Sequence, residues 1–401
     1  MSQKLITLGL LLGALSFVSC SVDVPSSDVS VTVPKTSEAT DTQEQAPANQ
    51  TPPTFADMIN INTPLATVEG KYKALPFEME SNQSLATELD AFAMQTETYS
   101  LIVWHKGKIV YESYPAPYSA ETRSESASMH KSVMALLIGA AIEDGFISGV
   151  DAVIGAYIPE WANDPRGEIT VQDLLEMSSG LKPLSSEGGM NSPSVKFMMD
   201  GAGARETILG LELLEGSENV FHYQNAVSQL LGLIIENATG RAYQDYLSDR
   251  LWKPLRARDA KVWLNEPDGF ARTYSALYAV PRDWLRLGLT VKDFGAFNGS
   301  QIISKSYIQQ MTSPSRAYAN YGWQIWRGEN FEPARFYNAA KQGFPVGSSA
   351  PFAVEDILYF DGFGGQRVYI SRSEDLVIVR LGNVRMDWDD SKLPNLVLSK
   401  L

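Results

Sequence analysis

The sequence predicts an α+β fold: one antiparallel sheet flanked by helices, with an inserted, mostly helical region. Strand-like apolar runs occur near residue 100 and again in the last fifty residues, whereas helical periodicity dominates between them. A single sheet built from about 98–127 and 350–401, with the helical region at about 128–300, explains that distribution. With 401 residues, of which 44% are hydrophobic, the chain can bury a large core.

The first twenty residues predict an export signal. Met1–Lys4 is short and basic, Leu5–Val18 is almost wholly apolar, and this run is too short for a stable membrane span. Phe17-Val18-Ser19-Cys20 resembles the bacterial lipoprotein cleavage box, in which the cysteine is lipidated, although Phe17 replaces the usual leucine. That resemblance, with Ser21 after the cysteine, implies a lipoprotein at the periplasmic face of the outer membrane. An ordinary cleaved signal, giving a soluble periplasmic or secreted protein, is the alternative.

Residues 21–53 predict a disordered tether, because they are rich in polar residues and proline and contain no aromatic side chain. The folded domain is expected over 54–401. Cys20 is the only cysteine, so the folded part has neither a disulfide nor a thiol nucleophile. The net charge of −14 argues against a nucleic-acid-binding surface, which requires a basic face.

Within the folded domain, apolar periodicity predicts the elements in chain order. A helix over Gln83–Glu97 precedes a hairpin, and the hairpin leads into a long apolar helix that starts near Ser126 and stops at Gly145. Further helices are expected at Thr170–Met177, which starts with a capping threonine, and at Ala226–Asn237. The predicted strands are Tyr99–Trp104, Ile109–Tyr114, Ile357–Phe360, Gln366–Ser371 and Leu376–Leu381, and the loops Lys182–Ser194 and Asn330–Ser349 have no decodable pattern.

The first chemically suggestive feature is the pair Ser128 and Lys131 at the start of the apolar helix. Residues three apart on a helix project from one face, about one turn from each other. A serine hydroxyl is a poor nucleophile until a neighbouring base takes its proton, and a lysine can serve only if its pKa is lowered. The apolar residues that follow Lys131 supply the required burial. Alone, the pair also fits a capping serine beside a surface lysine.

Two more segments follow in a recognisable order: Tyr223-Gln224-Asn225 and Gly362-Phe363-Gly364-Gly365-Gln366. With Ser128-x-x-Lys131, they resemble the serine β-lactamase-related family, in the branch of class C β-lactamases, serine esterases and 6-aminohexanoate-dimer hydrolases. The resemblance covers about residues 85–390. It implies a β-lactamase/transpeptidase-like fold and a serine hydrolase that works through an acyl-enzyme.

The resemblance implies roles for individual residues. Ser128 would be the acylated nucleophile and Lys131 would keep the proton network poised. Tyr223 would be the acid/base that takes the serine proton and delivers one to the leaving group, its phenolate stabilised by lysine charge. Asn225 would bind substrate and Lys131, and the backbone N–H groups of Ser128 and Phe363 would form the oxyanion hole. Without the resemblance, Tyr223 also fits a core aromatic and Asn225 a helix N-cap. The remaining substrate or oxyanion residues implied by the third segment are Gly362, Gly364 and Gln366.

The third segment reads Phe360-Asp361-Gly362, where many relatives carry Lys-Thr-Gly or His-x-Gly. No cation stands there to receive a substrate carboxylate, although Arg367 or Lys341 could replace it. The sequence therefore predicts a carboxylesterase or an amidase like the 6-aminohexanoate-dimer hydrolases. The alternatives are a β-lactamase or D-alanyl-D-alanine peptidase, and a penicillin-binding sensor lipoprotein that does not turn over.

No motif implies a cofactor or a metal site, and none places a histidine as a catalytic base. His130 lies between Ser128 and Lys131 and should face away from them on the helix, while His222 fits a structural role better than a catalytic one. The expected partner is a small ester or amide, with no nucleic acid. Contact with a membrane is expected only through a lipidated Cys20, and the sequence leaves the oligomeric state open.

Overall fold

The computed structural model describes residues 64–75, 77–80, 82–187, 191–200 and 203–401. The predicted export signal, the lipidation of Cys20, the tether over 21–53 and the first residues of the predicted folded domain lie outside the described residues. Among the described residues, no helix is both long enough and apolar enough to cross a bilayer.

Strands and helices are interspersed along the described chain. The strands are β1 (Leu65–Val68), β2 (Glu78–Met79), β3 (Thr98–His105), β4 (Lys108–Ser113), β5 (Ser124–Glu125), β6 (Ser179–Leu181), β7 (Leu213–Glu218), β8 (Ala260–Trp263), β9 (Leu277–Ala279), β10 (Ala296–Phe297), β11 (Ser300–Gln301), β12 (Trp326–Arg327), β13 (Ala334–Arg335), β14 (Val346–Gly347), β15 (Leu358–Gly362), β16 (Gln366–Ser371) and β17 (Leu376–Gly382). The helices are α1 (Gln83–Gln95), α2 (His130–Glu143), α3 (Val171–Leu175), α4 (Pro193–Asp200), α5 (Ala204–Leu209), α6 (Asn225–Thr239), α7 (Tyr243–Leu247), α8 (Pro281–Lys292), α9 (Lys305–Met311) and α10 (Lys392–Leu398). A 3₁₀ turn, Ala127–Met129, leads directly into α2.

The main sheet joins the two ends of the folded chain, as the sequence predicted. Among the described residues it has seven strands in the order β12-β15-β16-β17-β3-β4-β2. All neighbours are antiparallel except β2 and β4, which run parallel, so the sheet is mixed at that edge. The C-terminal hairpins pair with β3 through β17, where Val379 lies opposite Ile102.

Helix α2 forms the centre of the molecule, and every side chain from His130 to Ala141 is buried. Each fully buried leucine or isoleucine there contributes about 1.5–3 kcal/mol through the hydrophobic effect. Helix α8 lies against the sheet, and Gly288 permits this close approach. A Cβ at that position would stand 2.7 Å from Val377 Cγ1 and 2.9 Å from Val368 Cγ1.

Local signals set the ends of several helices as predicted. Thr170 and Asp173 form a reciprocal capping box at the start of α3. Gly145, just beyond α2, and Gly240, at the end of α6, both adopt the left-handed conformation that favours glycine. These ends depend on residues that are neighbours in sequence, which explains why they could be predicted.

The structure differs from the sequence prediction in the extent of the sheet. The N-terminal strands of the main sheet end at Ser113, and β5 instead joins a separate four-stranded sheet, β1-β8-β9-β5, counted among the described residues. The expected helical region at 128–300 also contains β6 to β10 and the first residue of β11. These strands are short, from two to six residues, and such runs carry too little periodicity to be recognised.

Candidate active site

Ser128 and Lys131 meet as the helical spacing predicted. Ser128 lies in the 3₁₀ turn that precedes α2 and is half-buried, whereas Lys131 is 1% exposed. The distance from Lys131 Nζ to Ser128 Oγ is 2.8 Å. A hydroxyl and an amine from one helical turn are therefore in hydrogen-bonding contact.

Three oxygen atoms surround Lys131 Nζ. Besides Ser128 Oγ, the amine donates to Asn225 Oδ1 at 2.8 Å and to the backbone carbonyl of Tyr274 at 2.8 Å. A carbonyl oxygen can only accept a hydrogen bond, so Asn225 and Tyr274 fix two N–H groups of the amine. When Lys131 is neutral, its lone pair is consequently directed at the serine hydroxyl.

The electrostatic surroundings of Lys131 favour that neutral form. Burial lowers the pKa of Lys131 to about 7, although the carboxylates of Asp361 and Glu125 act in the opposite direction and raise it. A lysine with this pKa is substantially deprotonated at neutral pH. It can therefore act as a base without another group taking its proton first.

Tyr223, in the segment that precedes α6, is the third side chain of the site beside Ser128 and Lys131. Lys131 Nζ lies 4.8 Å from the centre of the Tyr223 ring, and the phenol is within hydrogen-bonding reach of Ser128. Burial first, followed by Tyr321 and the Asp361 carboxylate, raises the pKa of Tyr223 well above its usual range. The structure therefore favours a protonated phenol, and the expected phenolate stabilised by lysine charge is not supported.

Asn225 is the first residue of α6, and the N-cap position is Gln224, which makes no side-chain capping bond. The alternative interpretation of Asn225 as an N-cap is therefore wrong. Its side-chain oxygen faces Lys131 instead. The backbone N–H of Tyr223 donates to the carbonyl of Tyr337 at 2.9 Å, so a distant loop holds this segment in place.

The third segment begins at the last residue of β15, and this end of β15 packs against the 3₁₀ turn that carries Ser128. A Cβ on Gly362 would stand 2.6 Å from the carbonyl oxygen of Ser126 and 3.1 Å from Met129 Cγ, so only glycine fits there. Phe363 follows, half-buried, and Gly364 has a left-handed backbone with φ of 71°. The predicted oxyanion segment thus lies beside the turn that carries Ser128.

Gln366 was expected to bind substrate, but its side chain is occupied within the fold. Its Nε2 donates to the carbonyl of Gly382 at 2.8 Å, and its Oε1 accepts from the N–H of Gly382 at 3.0 Å. Both ends of this buried amide therefore join β16 to β17, and we assign it no contact with substrate.

Arg367 belongs to a buried ion cluster with Arg335, Asp361 and Asp390. It lies 2.6 Å from Asp361 and 2.8 Å from Asp390, and Arg335 lies 2.9 Å from Asp390. Burial raises the pKa of Asp361, but the positive charges of Arg335 and then Arg367 outweigh it and hold this pKa below its ordinary value. Two positive and two negative charges cancel, so Arg367 does not supply an uncompensated cation.

Lys341, the other candidate for the missing cation, is exposed on the loop between β13 and β14. Of the histidines, His130 faces away from the serine as predicted: its ring contacts the Ser275 carbonyl at 2.7 Å and the Tyr243 hydroxyl at 2.8 Å. Burial lowers the pKa of His130 to about 4, so it is neutral at physiological pH.

A sequence profile described as beta-lactamase matches residues 85–399. The chain belongs to the beta-lactamase family. Its fold is of the β-lactamase/transpeptidase type, and the family is one of serine hydrolases. The resemblance inferred from the three motifs is thereby confirmed.

Individual relatives include a 6-aminohexanoate-dimer hydrolase, one of the kinds of protein named in the resemblance. The 6-aminohexanoate-dimer hydrolase of Paenarthrobacter ureafaciens is 27% identical over 286 residues, which are 68% of this chain and 71% of that protein. A Bacillus anthracis structure, provisionally described as a 6-aminohexanoate-dimer hydrolase, superposes with a TM-score of 0.68 at 19% identity, covering 87% of this chain and 91% of that one. A penicillin-binding protein homologue from Caulobacter crescentus gives 0.58 at 14% identity, covering 79% and 97%. At such identities these structures show the fold alone.

For this member of the beta-lactamase family, sequence reasoning missed several neighbours of the site. The Tyr274 carbonyl that binds Lys131 is a backbone group and leaves no mark in the sequence. The aromatic side chains of Trp326 and Tyr337 pack against Tyr223, with ring centres 5.8 and 5.1 Å away. Scattered aromatics resemble core residues until the fold brings them together.

Proposed function

We propose that this protein is an esterase or amidase that forms an acyl-enzyme on Ser128. The observation that carries the proposal is the set of three oxygens around Lys131 Nζ, two of which can only accept hydrogen bonds. This arrangement directs a neutral lysine at the serine hydroxyl, which is the requirement for activating a serine nucleophile.

In the first step, Ser128 Oγ attacks the carbonyl carbon of the substrate while its proton passes to Lys131 Nζ. The carbonyl oxygen becomes an oxyanion, and the backbone N–H groups of Ser128 and Phe363 are the proposed donors to it. Loss of one such donor typically costs about 2.7–4 kcal/mol of transition-state stabilisation.

In the second step, the bond to the leaving group breaks and the leaving group must gain a proton. The Tyr223 phenol, protonated because its pKa is raised, is the proposed donor, and the Lys131 ammonium returns a proton to it. Water then attacks the acyl-enzyme and gives its proton to the same network. This releases the acid and restores the hydroxyl of Ser128.

The proposed substrates need no free carboxylate for recognition. In the third segment, Asp361 is an anion and the cation opposite it, Arg367, is already paired. A substrate carboxylate would therefore meet a neutral ion cluster rather than an available charge. The name of the Paenarthrobacter relative places an amide among the substrates of the family, which supports testing amides beside esters.

The test is covalent labelling combined with kinetics. An alkyl fluorophosphonate should label Ser128 stoichiometrically, as located by peptide mass spectrometry, and the enzyme should turn over p-nitrophenyl butyrate. Ser128→Ala should abolish both, whereas Ser119→Ala, at an exposed turn, should change neither. Full esterase activity in Ser128→Ala would overturn the proposal.

The same preparation distinguishes the alternatives. A β-lactamase would hydrolyse nitrocefin at least as efficiently as p-nitrophenyl butyrate, and a sensor would show a stoichiometric burst without steady turnover. The proposal expects steady turnover of the ester and a nitrocefin kcat/KM that is lower by about 100-fold or more, equivalent to about 2.7 kcal/mol.

A further inference from the structure

Two strained turns flank the proposed catalytic pair. Ala127 has a φ of 44° and Ala276 a φ of 65°, both in the left-handed region that alanine rarely adopts. Ala127 directly precedes Ser128. Ala276 lies two residues after Tyr274, whose carbonyl binds Lys131. Each turn therefore supports one member of the pair, and something must hold both in an unfavourable backbone conformation.

A single carboxylate binds both turns. Glu125 Oε2 accepts a hydrogen bond from the N–H of Ala127 at 2.8 Å, and Glu125 Oε1 accepts one from the N–H of Ala276 at 2.7 Å. Glu125 is 9% exposed, so these charge-assisted bonds form where water competes little. The two oxygen atoms of one side chain thus link the turn at Ala127 to a segment that lies 151 residues from Glu125.

The surrounding strands reinforce this link. Glu125 lies in β5, which pairs with β9 so that Glu125 stands opposite Tyr278. Ser126 Oγ accepts a further hydrogen bond from the N–H of Leu277 at 3.2 Å. The nucleophile turn and the segment that anchors Lys131 are therefore joined as one unit, with Glu125 at its centre.

We propose that Glu125 is a positioning residue for the reaction: its carboxylate sets the distance between Ser128 Oγ and Lys131 Nζ by holding Ala127 and Ala276 in their strained conformations. This inference rests on the proposed function. Glu125 does not touch the reacting atoms; it acts through the two turns.

Glu125 also acts on Lys131 through its charge, which gives the proposal a second readout. Burial lowers the pKa of Lys131, and the carboxylates of Asp361 from β15 and then Glu125 from β5 act against it and raise that pKa. The phenols of Tyr223 and Tyr274 lie near Lys131, and the imidazole of His130, which faces away, interacts with Lys131 only through charge. Removing the Glu125 charge should therefore lower the pKa of Lys131. The rise of kcat/KM on the acid side of its pH profile, here called the acid limb, should then move to lower pH.

The test uses Glu125→Gln, which keeps the size of the side chain but offers one acceptor oxygen in place of two. One of the two turns then faces an N–H₂ group that cannot accept its bond. We expect kcat/KM for p-nitrophenyl butyrate to fall about 10- to 100-fold, with its acid limb shifted to lower pH. Glu121→Gln, the same chemical change at an exposed position, is the matched control and should change neither quantity.

A rescue experiment separates positioning from general folding. Glycine adopts positive φ without strain. In E125Q/A127G/A276G the two turns should therefore depend less on the lost carboxylate to keep their conformation. We expect the triple variant to be folded and at least several-fold more active than E125Q, or folded where E125Q is not. A triple variant that is unfolded, or no more active than a folded E125Q, would contradict the role, because Glu125 would then serve something other than the two turns.

Failure of this inference differs from failure of the proposed function. If the unmodified protein neither reacts with the fluorophosphonate at Ser128 nor hydrolyses the ester, the proposed function is wrong, and the role of Glu125 falls with it. If the unmodified protein is active and Glu125→Gln matches it in both kcat/KM and the pH of the acid limb, only the role of Glu125 is overturned.

Discussion

At the scale of single residues, the site is defined by the protonation states of Lys131 and Tyr223. Burial moves the two pKa values in opposite directions, because it disfavours a charged ammonium and a charged phenolate alike. In the proposed mechanism the amine therefore serves as the base and the phenol as the acid. Two groups with separated pKa values are what acid–base catalysis of acyl transfer requires.

The pH dependence of the reaction follows from the pKa of Lys131. Only the deprotonated amine can take the serine proton, so kcat/KM for p-nitrophenyl butyrate should rise with pH through a limb near pH 7. The measurement is kcat/KM from pH 5 to 9 in buffers of constant ionic strength.

The control for this limb is His222→Gln, because His222 is the histidine next to Tyr223. Burial lowers the pKa of His222, and its backbone bond to Met177 survives the substitution. The limb should stay in place in this variant. A limb that disappears with His222 would assign the base to the imidazole and contradict the role of Lys131.

A second prediction concerns the proton that Tyr223 delivers. Tyr223→Phe should lower kcat/KM for a p-nitroanilide by about 10²- to 10⁴-fold, the usual contribution of general acid catalysis. The loss for a p-nitrophenyl ester should be smaller, because p-nitrophenolate leaves without needing a proton. The ratio of the two losses, measured at one pH, is the decisive quantity.

Tyr321→Phe provides a matched control for Tyr223→Phe. Tyr321 is fully buried 6.2 Å from Tyr223, between ring centres, and its hydroxyl has no hydrogen-bond partner among the described residues. Removing that hydroxyl should leave kcat/KM for both the anilide and the ester almost unchanged. Equal losses on the anilide and the ester in Tyr223→Phe would indicate a structural role for Tyr223 instead of proton transfer.

At the scale of secondary-structure elements, the end of β15 and the nucleophile turn pack without space for a side chain. Gly362→Ala would place a Cβ 2.6 Å from the Ser126 carbonyl, so either the strand or the turn must move. Overpacking of this kind typically costs about 1–3 kcal/mol of stability. We expect kcat to fall at least tenfold in folded protein, because the turn carries Ser128.

The comparison for Gly362→Ala is Gly347→Ala, in β14. A Cβ there would lie 3.7 Å from the carbonyl oxygen of Trp388, an ordinary contact. This variant should keep its melting temperature and its kcat. A Gly362→Ala protein with unchanged kcat would show that the close packing of β15 against the turn has no part in the reaction.

At the scale of the whole molecule, the buried ion cluster ties the sheet to the loop beside the site. Tyr337 donates from its hydroxyl to Asp361 at 2.9 Å, and its ring packs against Tyr223. Arg335 in β13 donates to Asp390, which is the second carboxylate of the cluster. The position of Tyr223 therefore depends on charges that lie in the core.

Breaking the cluster should destabilise the entire fold. Asp390→Asn leaves Arg335 and Arg367 with one carboxylate between them, and the loss of one partner from a buried pair typically costs about 3–5 kcal/mol. Urea unfolding followed by circular dichroism measures this cost.

The control is Asp387→Asn, which removes an exposed carboxylate that pairs with Arg385. This variant should change the free energy of unfolding far less than Asp390→Asn does. If the two variants unfold at the same urea concentration, the cluster contributes no more than a surface pair. Its assignment as an organising element of the core would then be wrong.

Much of the site was predictable because its spacing is local. The contact between Ser128 and Lys131 follows from the period of a helix, and the ends of α2, α3 and α6 follow from capping residues and glycines. Tyr223 and Gly362 were found through motif order, although no sequence pattern states how close they come. Gln366 was misassigned because a motif cannot show where an amide points.

The sequence by itself determined the fold class, the family and the pairing of a serine with a lysine on one helical turn, because apolar periodicity, motif order and helical spacing can all be read along the chain. Only the tertiary structure decided the protonation states from which we propose Lys131 as base and Tyr223 as acid. Those states depend on burial and on partners far away in sequence, such as the Tyr274 carbonyl, 143 residues from Lys131. The same holds for the charge of the third segment, since only folding places Arg335 and Asp390 beside Asp361 and Arg367.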